Sequence, residues 1–235
     1  MDNKGIILIH GAGLGSFIWD KIKTKLNLQS FAVDFPNRNK GDKANLQLSF
    51  EDYVSSIIMQ IAHSNFDKLI IVTHSIGGCV GLKVAEYFGN RVVGFVGVGS
   101  AIPSNGGSFI SCLPFPQKVI MPIVLKIAGS KPPQKAIEEG YGNDLNNEQK
   151  KLVVENFTTE SRSLYLDKCN AKIPTSSRLY IKLTNDKEFP ISMQDKMIKN
   201  LETQNIATIN CGHLPMLSQP EELARIVNDF CNDLG

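Results

Sequence analysis

The chain has 235 residues, 42% of them hydrophobic and 20% charged, and its 25 Lys plus Arg against 23 Asp plus Glu leave a formal net charge of +2. At about 150 residues per domain, that length fits one large domain or a core with an insertion, and the composition excludes disorder, collagen and coiled coil. So small a charge excess builds no basic face, which argues against nucleic acid as a partner.

Short β-rich runs alternate with segments of helical period, the pattern of a parallel sheet with helices on both faces. The first run, 6–9, lies in the apolar stretch 5–9, which is too short for the apolar region of a secretory leader, so none is expected. Further runs at 31–33, 69–73, 92–98, 179–183 and 207–209 complete six expected strands, most of them continuously apolar as strands buried on both faces are. Helices are expected at 17–26, carrying Phe17, Ile18, Ile22 and Leu26, and at 50–63, carrying Tyr53, Val54, Ile57, Ile58 and Ile61. Two more are expected at 77–88 and at 221–234, the latter with Leu223, Ile226, Val227 and Phe230 inward. The polar stretch 37–45 reads as a solvated loop.

Between 100 and 174 the alternation fails, in a region holding seven of the eleven prolines. Apolar helical pieces near 113–128 and 147–157, with the break at Pro132 and Pro133, suggest a helical lid inserted over the sheet. The expected division is therefore 1–100 as the first half of the core, 101–174 as the lid and 175–235 as the rest of the core. The most apolar later segment, 119–128, contains Pro122 and Lys126 and is too short to span a bilayer. Five widely spaced cysteines (Cys79, Cys112, Cys169, Cys211, Cys231) fit reduced thiols in a cytoplasm.

Three segments carry chemistry. In the run from Leu69 to Gly78, Thr73-His74-Ser75-Ile76-Gly77 follows an apolar strand and opens a helix, as a nucleophile elbow of the G-x-S-x-G type does, with Thr73 in place of the first glycine. Such a turn lifts the serine hydroxyl above the sheet at a helix N-terminus, where developing negative charge is favoured. In the second, His10-Gly11-Ala12-Gly13-Leu14-Gly15-Ser16 follows the first strand. A dinucleotide fingerprint would need glycine where Ser16 stands, so the loop reads better as a source of a backbone N–H for an oxyanion; Ala12 and Ile76 are the expected donors. In the third, Gly212-His213-Leu214-Pro215 sits between the last strand and the last helix and supplies the one histidine placed to act as a base. His10 is expected to orient the glycine loop, His63 to be solvated, and His74 to point away along the turn. Asp186, after the preceding strand, is the expected orienting carboxylate, with Glu188 as second candidate.

The order Ser75, Asp186, His213 resembles that of the α/β-hydrolase superfamily over nearly the whole chain outside the lid. The early first strand, the 186–190 segment and Gly212-His213-Leu214-Pro215-Met216-Leu217-Ser218 are most similar to small esterases related to plant methylesterases and hydroxynitrile lyases. The resemblance implies an α/β fold whose sheet lacks the first two of eight strands, leaving about six parallel strands. It also implies a serine esterase acting through an acyl-enzyme, with no metal and no organic cofactor. The expected substrate is a small or medium apolar ester. Trp19 is read first as packing helix to sheet; Trp19, Phe109, Leu113, Phe115 and Leu214 are the candidate pocket residues, with Val119, Met121 and Leu125 beside them in the lid. Two alternatives share the fold: a ligand-perceiving binding protein, and a hydroxynitrile lyase, in which a lysine follows the histidine where Leu214 stands here. Oligomeric state is not encoded in these motifs.

Overall fold

A computed structural model describes residues 3–234 apart from Asn39, Asp42 and Asn105. Six strands form one sheet: β1 (Lys4–Ile9), β2 (Ser30–Val33), β3 (Lys68–His74), β4 (Val92–Val98), β5 (Ser177–Leu183) and β6 (Ile206–Ile209), in the order β2-β1-β3-β4-β5-β6, every pair parallel. The continuous apolar runs are explained by burial on both faces. Alternate residues of one strand enter different cores, Ile7 and Ile9 on one side and Ile6 and Leu8 on the other, and all four are essentially unexposed.

The helices are α1 (Asp20–Lys23), α2 (Phe50–Ala62), α3 (Gly77–Phe88), α4 (Phe109–Cys112), α5 (Gln117–Ile127), α6 (Gln134–Glu139), α7 (Asn147–Glu155), α8 (Ser163–Leu166), α9 (Ile191–Leu201), α10 (Pro215–Ser218) and α11 (Pro220–Asn232). Ser49 caps α2 by accepting from the Asp52 N–H while the Asp52 carboxylate accepts from the Ser49 N–H, which satisfies two otherwise orphaned donors. The helix expected at 17–26 is instead a 3₁₀ turn (Ser16–Trp19) followed by the short α1. The Thr24 hydroxyl donates to the Lys21 carbonyl and occupies an acceptor that a further turn would use. The apolar piece expected near 113–128 forms α5, and α4, α6 and α8 are additional short helices. Helix α9 also goes beyond the expected elements; Met193, Met197, Ile198 and Leu201 form its buried stripe among charged neighbours.

The stretch 37–45 is less solvated than expected. Asn45 is buried, and the largely buried Arg38 side chain pairs with Glu160; Asn39 and Asp42 lie outside the described residues. Among the described residues, no helix is long and apolar enough to cross a membrane.

Strand order reverses between β1 and β3, and an open parallel sheet has its crevice at the carboxyl ends of the strands on either side of such a switch. Ile9 pairs in register with Thr73, so the glycine loop after β1 and the turn after β3 leave the sheet side by side. A Cβ on Gly77 would lie 2.5 Å from the His10 carbonyl oxygen, an approach that only glycine permits.

Candidate active site

Ser75 stands between β3 and α3 with φ at 54°, in the left-handed region that a serine rarely adopts. Its carbonyl accepts from the Gly78 and Ala101 N–H groups, at 3.0 and 2.8 Å, and these bonds hold the turn. Thr73 is accommodated by Gly81: a Cβ on Gly81 would meet the Thr73 Cγ2 at 2.3 Å, so the methyl occupies the space a side chain there would need. The Thr73 hydroxyl lies 2.8 Å from the Ser100 hydroxyl and donates to the Val96 carbonyl. Gly81→Ala is therefore expected to cost about 1–3 kcal/mol through overpacking. Thr73→Ser in the same chain, which deletes the methyl and keeps the hydroxyl, is expected to restore most of it in a denaturant melt; equal losses with and without Thr73→Ser would refute the compensation.

Asp186 and His213 meet as expected. His213 Nδ1 and Asp186 Oδ2 are 2.8 Å apart, with both residues buried. The other carboxylate oxygen accepts from the Glu188 and Phe189 N–H groups, at 2.8 and 2.9 Å, which fixes the acid on its loop. Burial opposes the imidazolium form of His213, but the charge and hydrogen bond of Asp186, with Glu188 and Asp144 behind it, hold the His213 pKa above the ordinary histidine value. Glu188 does not pair with the histidine; it lines the cavity, and burial raises its pKa.

His74 departs from its expected role as a bystander. Its Nε2–H donates to the His213 carbonyl at 2.8 Å and its ring lies 4.6 Å from that of His213. Burial, then the nearby His213, push its pKa well below the ordinary value, so the neutral ring supports the His213 backbone. His10 orients the glycine loop: its Nδ1 lies 2.7 Å from the Gly11 carbonyl, and its Nε2 accepts from the Phe35 N–H. His63 is exposed at the end of α2. Asp34, the residue a dinucleotide fingerprint would direct to a ribose, instead binds the backbone N–H and hydroxyl of Ser16.

Ser75, His213, Ala12 and Ile76 all line one cavity of about 300 Å³. Among the described residues, the N–H groups of Ala12 and Ile76 have no acceptor within the protein, so both remain available to a ligand oxygen. Ser75 and His213 line the same cavity without a hydrogen bond between them.

The pocket residues divide. Phe109 lines the cavity with Met121 and Leu125, while Leu113 lines an adjoining cleft of about 380 Å³. Trp19 and Leu214 are fully buried in the core on the far side of the sheet from most of the lid contacts, and Phe115 is 76% exposed, so these three do not line the cavity. Val119 faces outward, more than half exposed. Tyr141, Tyr165 and Phe189 complete the aromatic wall.

One participant has no local sequence signal. The buried Glu160 carboxylate accepts from the Gly13 N–H at 3.0 Å and from Arg38 on Oε1, and from Tyr53 at 2.9 Å and Asn45 at 3.3 Å on Oε2. It thereby ties the segment after α7 to the loop that bears Ala12.

A serine on a strand-to-helix elbow at a topological switch point shares a cavity with a histidine paired to a buried carboxylate, the two carried on the loops after later strands of a parallel sheet. The chain belongs to the alpha/beta hydrolase family, whose model matches residues 6–226. It is related to plant methylesterases: Methylesterase 7 of Arabidopsis thaliana is 23% identical over 98% of this chain and 97% of its own length. Norfluorocurarine synthase 2 of Strychnos nux-vomica is 27% identical over 94% of this chain and 93% of its own. Among solved structures, a pyrethroid hydrolase from Sphingobium faniae superposes with a TM-score of 0.79 at 22% identity, covering 97% of each chain. An extracellular alpha/beta-hydrolase from a Paenibacillus species, described as sharing homology with tobacco salicylic acid binding protein 2, superposes at 0.82 with 17% identity, covering 96% of this chain and 98% of its own. These comparisons support a hydrolase with esterase-type relatives.

Proposed function

We propose that the protein is a serine hydrolase that cleaves small or medium apolar carboxylic esters. The observation that carries this reading is the buried His213–Asp186 pair at 2.8 Å opening on the same cavity as Ser75. Asp186 on Nδ1 leaves Nε2 of His213 to take the Ser75 proton as the hydroxyl attacks the ester carbonyl. The oxygen that gains charge is received by the Ala12 and Ile76 N–H groups, and the protonated His213 returns its proton to the leaving alkoxide. Water, activated by the same histidine, then releases the acid from Ser75. None of these steps draws on a metal or an organic cofactor.

Residues 101–174 act as the lid, with α5 and residues 130–133 lining the cavity that also holds Ser75. The aromatic lining favours an apolar acyl or aromatic group, and the methylesterase names among the relatives support a small alkoxy group. Five free, buried cysteines support a reducing compartment such as the cytoplasm. Exposure to a fluorophosphonate, followed by intact-mass and peptide analysis, tests the assignment: one adduct on Ser75 is expected, and an adduct elsewhere or none would overturn it.

The raised pKa of His213 sets the sign of the pH response. The base must be neutral, so kcat/KM rises with pH, with its midpoint above the ordinary histidine value of about 6.5. Asp186→Asn removes the charge that raises the pKa and leaves burial, which lowers it. The acid limb is expected to move to lower pH while turnover falls by about 10⁴-fold. A profile that stays in place would exclude His213 as the titrating base.

A further inference from the structure

Helix α5 has two unlike sides. Met121 and Leu125 line the catalytic cavity, whereas Val119, Ile120, Ile123 and Ile127, with Phe115 just before the helix, stand 51–80% exposed. Val124 belongs to both, lining the cavity while 43% exposed, so the outer apolar stripe is continuous with the cavity wall. Exposed apolar side chains clustered on one helix mark an interaction surface.

Charge identifies what it meets. From Val92 to Ile137 the chain contains no Asp or Glu and four lysines, Lys118, Lys126, Lys131 and Lys135, although the whole chain is nearly balanced at 25 to 23. All four are exposed; Lys118 and Lys126 stand on α5 itself, while Lys135 pairs with Glu139 on α6. A second copy packed two-fold on this stripe would set lysine against lysine with no carboxylate from the segment between them. An apolar stripe flanked by lysines fits a surface that is apolar below and anionic above.

We propose that α5 and the Phe115 turn form a peripheral docking surface for an anionic lipid–water interface, from which an apolar substrate passes along Val124 into the cavity. Docking itself is independent of the serine chemistry; only the passage of substrate rests on the proposed function.

The test is co-sedimentation of the full chain with phosphatidylcholine vesicles, with and without phosphatidylglycerol. Binding is expected to the anionic vesicles at low salt, and to fall by about tenfold in high salt, on zwitterionic vesicles, or with Lys118→Glu plus Lys126→Glu. Ile123→Glu plus Ile127→Glu is expected to abolish it. Neither isoleucine lines the cavity, so melting temperature and hydrolysis of a water-soluble ester stay at the parent level in that variant. Ser75→Ala is expected to bind like the parent, which separates failure of docking from failure of the hydrolase reading. A parent chain left in the supernatant, sedimentation indifferent to both double variants, or a dimer that Ile123→Glu dissociates in light scattering would each overturn the proposal.

Discussion

Ser75→Ala is expected to lower ester turnover by between about 10⁴- and 10⁶-fold, since groups that act as one unit lose nearly everything when one is removed. Folding is expected to be almost unaffected. Ser75 contributes its backbone carbonyl to the elbow, and that carbonyl is retained. Its hydroxyl makes no hydrogen bond among the described residues, so its removal leaves no buried donor or acceptor unpaired. The left-handed backbone at φ 54° is as awkward for alanine as for serine, so the strain is common to both chains. A change within about 0.5 kcal/mol, or roughly 1–2 °C in melting temperature, is therefore expected. The fluorophosphonate adduct disappears in the same variant. Retained turnover would place the nucleophile elsewhere, and a collapse in stability would mean that the elbow is held by the hydroxyl rather than by the carbonyl bonds.

What could be read from the sequence follows the range over which physics acts. The six strands were legible because burial on both faces imposes an unbroken apolar run, as in Ile70, Ile71 and Val72. The positions of Ser75, Asp186 and His213 were legible because each sits within a few residues of a strand end, in a short motif that fixes where it stands on the sheet. Helix α9 was not, since its stripe of methionines and Leu201 is diluted by lysine, aspartate and asparagine. The lid was harder still. Phe115 and Phe109 are both apolar and close in the chain, yet one is 76% exposed and the other lines the cavity, because the α4–α5 turn directs them apart. Trp19 and Leu214 sit near motif residues but point into the opposite core layer. Glu160 lies beyond any local reading: its partners Gly13, Arg38, Asn45 and Tyr53 stand 107 to 147 residues away.

Glu160 also carries the second large expected effect. Four donors converge on its two oxygens, two on each; Gly13 and Arg38 bring donors only, and the Tyr53 hydroxyl, which donates to Glu160, already accepts from the Ser161 N–H. A carboxylate is the one side-chain group of that length that only accepts. In Glu160→Gln the amide places N–H groups against donors and leaves the largely buried Arg38 without a counter-charge, at a cost of about 3–5 kcal/mol. In a domain of this size that corresponds to roughly 10 °C in melting temperature. Glu160→Asp keeps the charge and is expected to recover part of the loss. The catalytic consequence is separable from the loss of stability. The Gly13 N–H bond fixes the loop on which, in the proposed mechanism, Ala12 offers its own N–H to the oxyanion, a contact that would matter only as charge develops. Below the melting transition, the folded Glu160→Gln chain is expected to show kcat reduced by about tenfold or more with KM little changed. A carboxylate that merely stabilised the fold would lower the melting temperature and leave kcat per folded molecule untouched, so an unchanged kcat in the folded variant would reduce Glu160 to a structural ion pair.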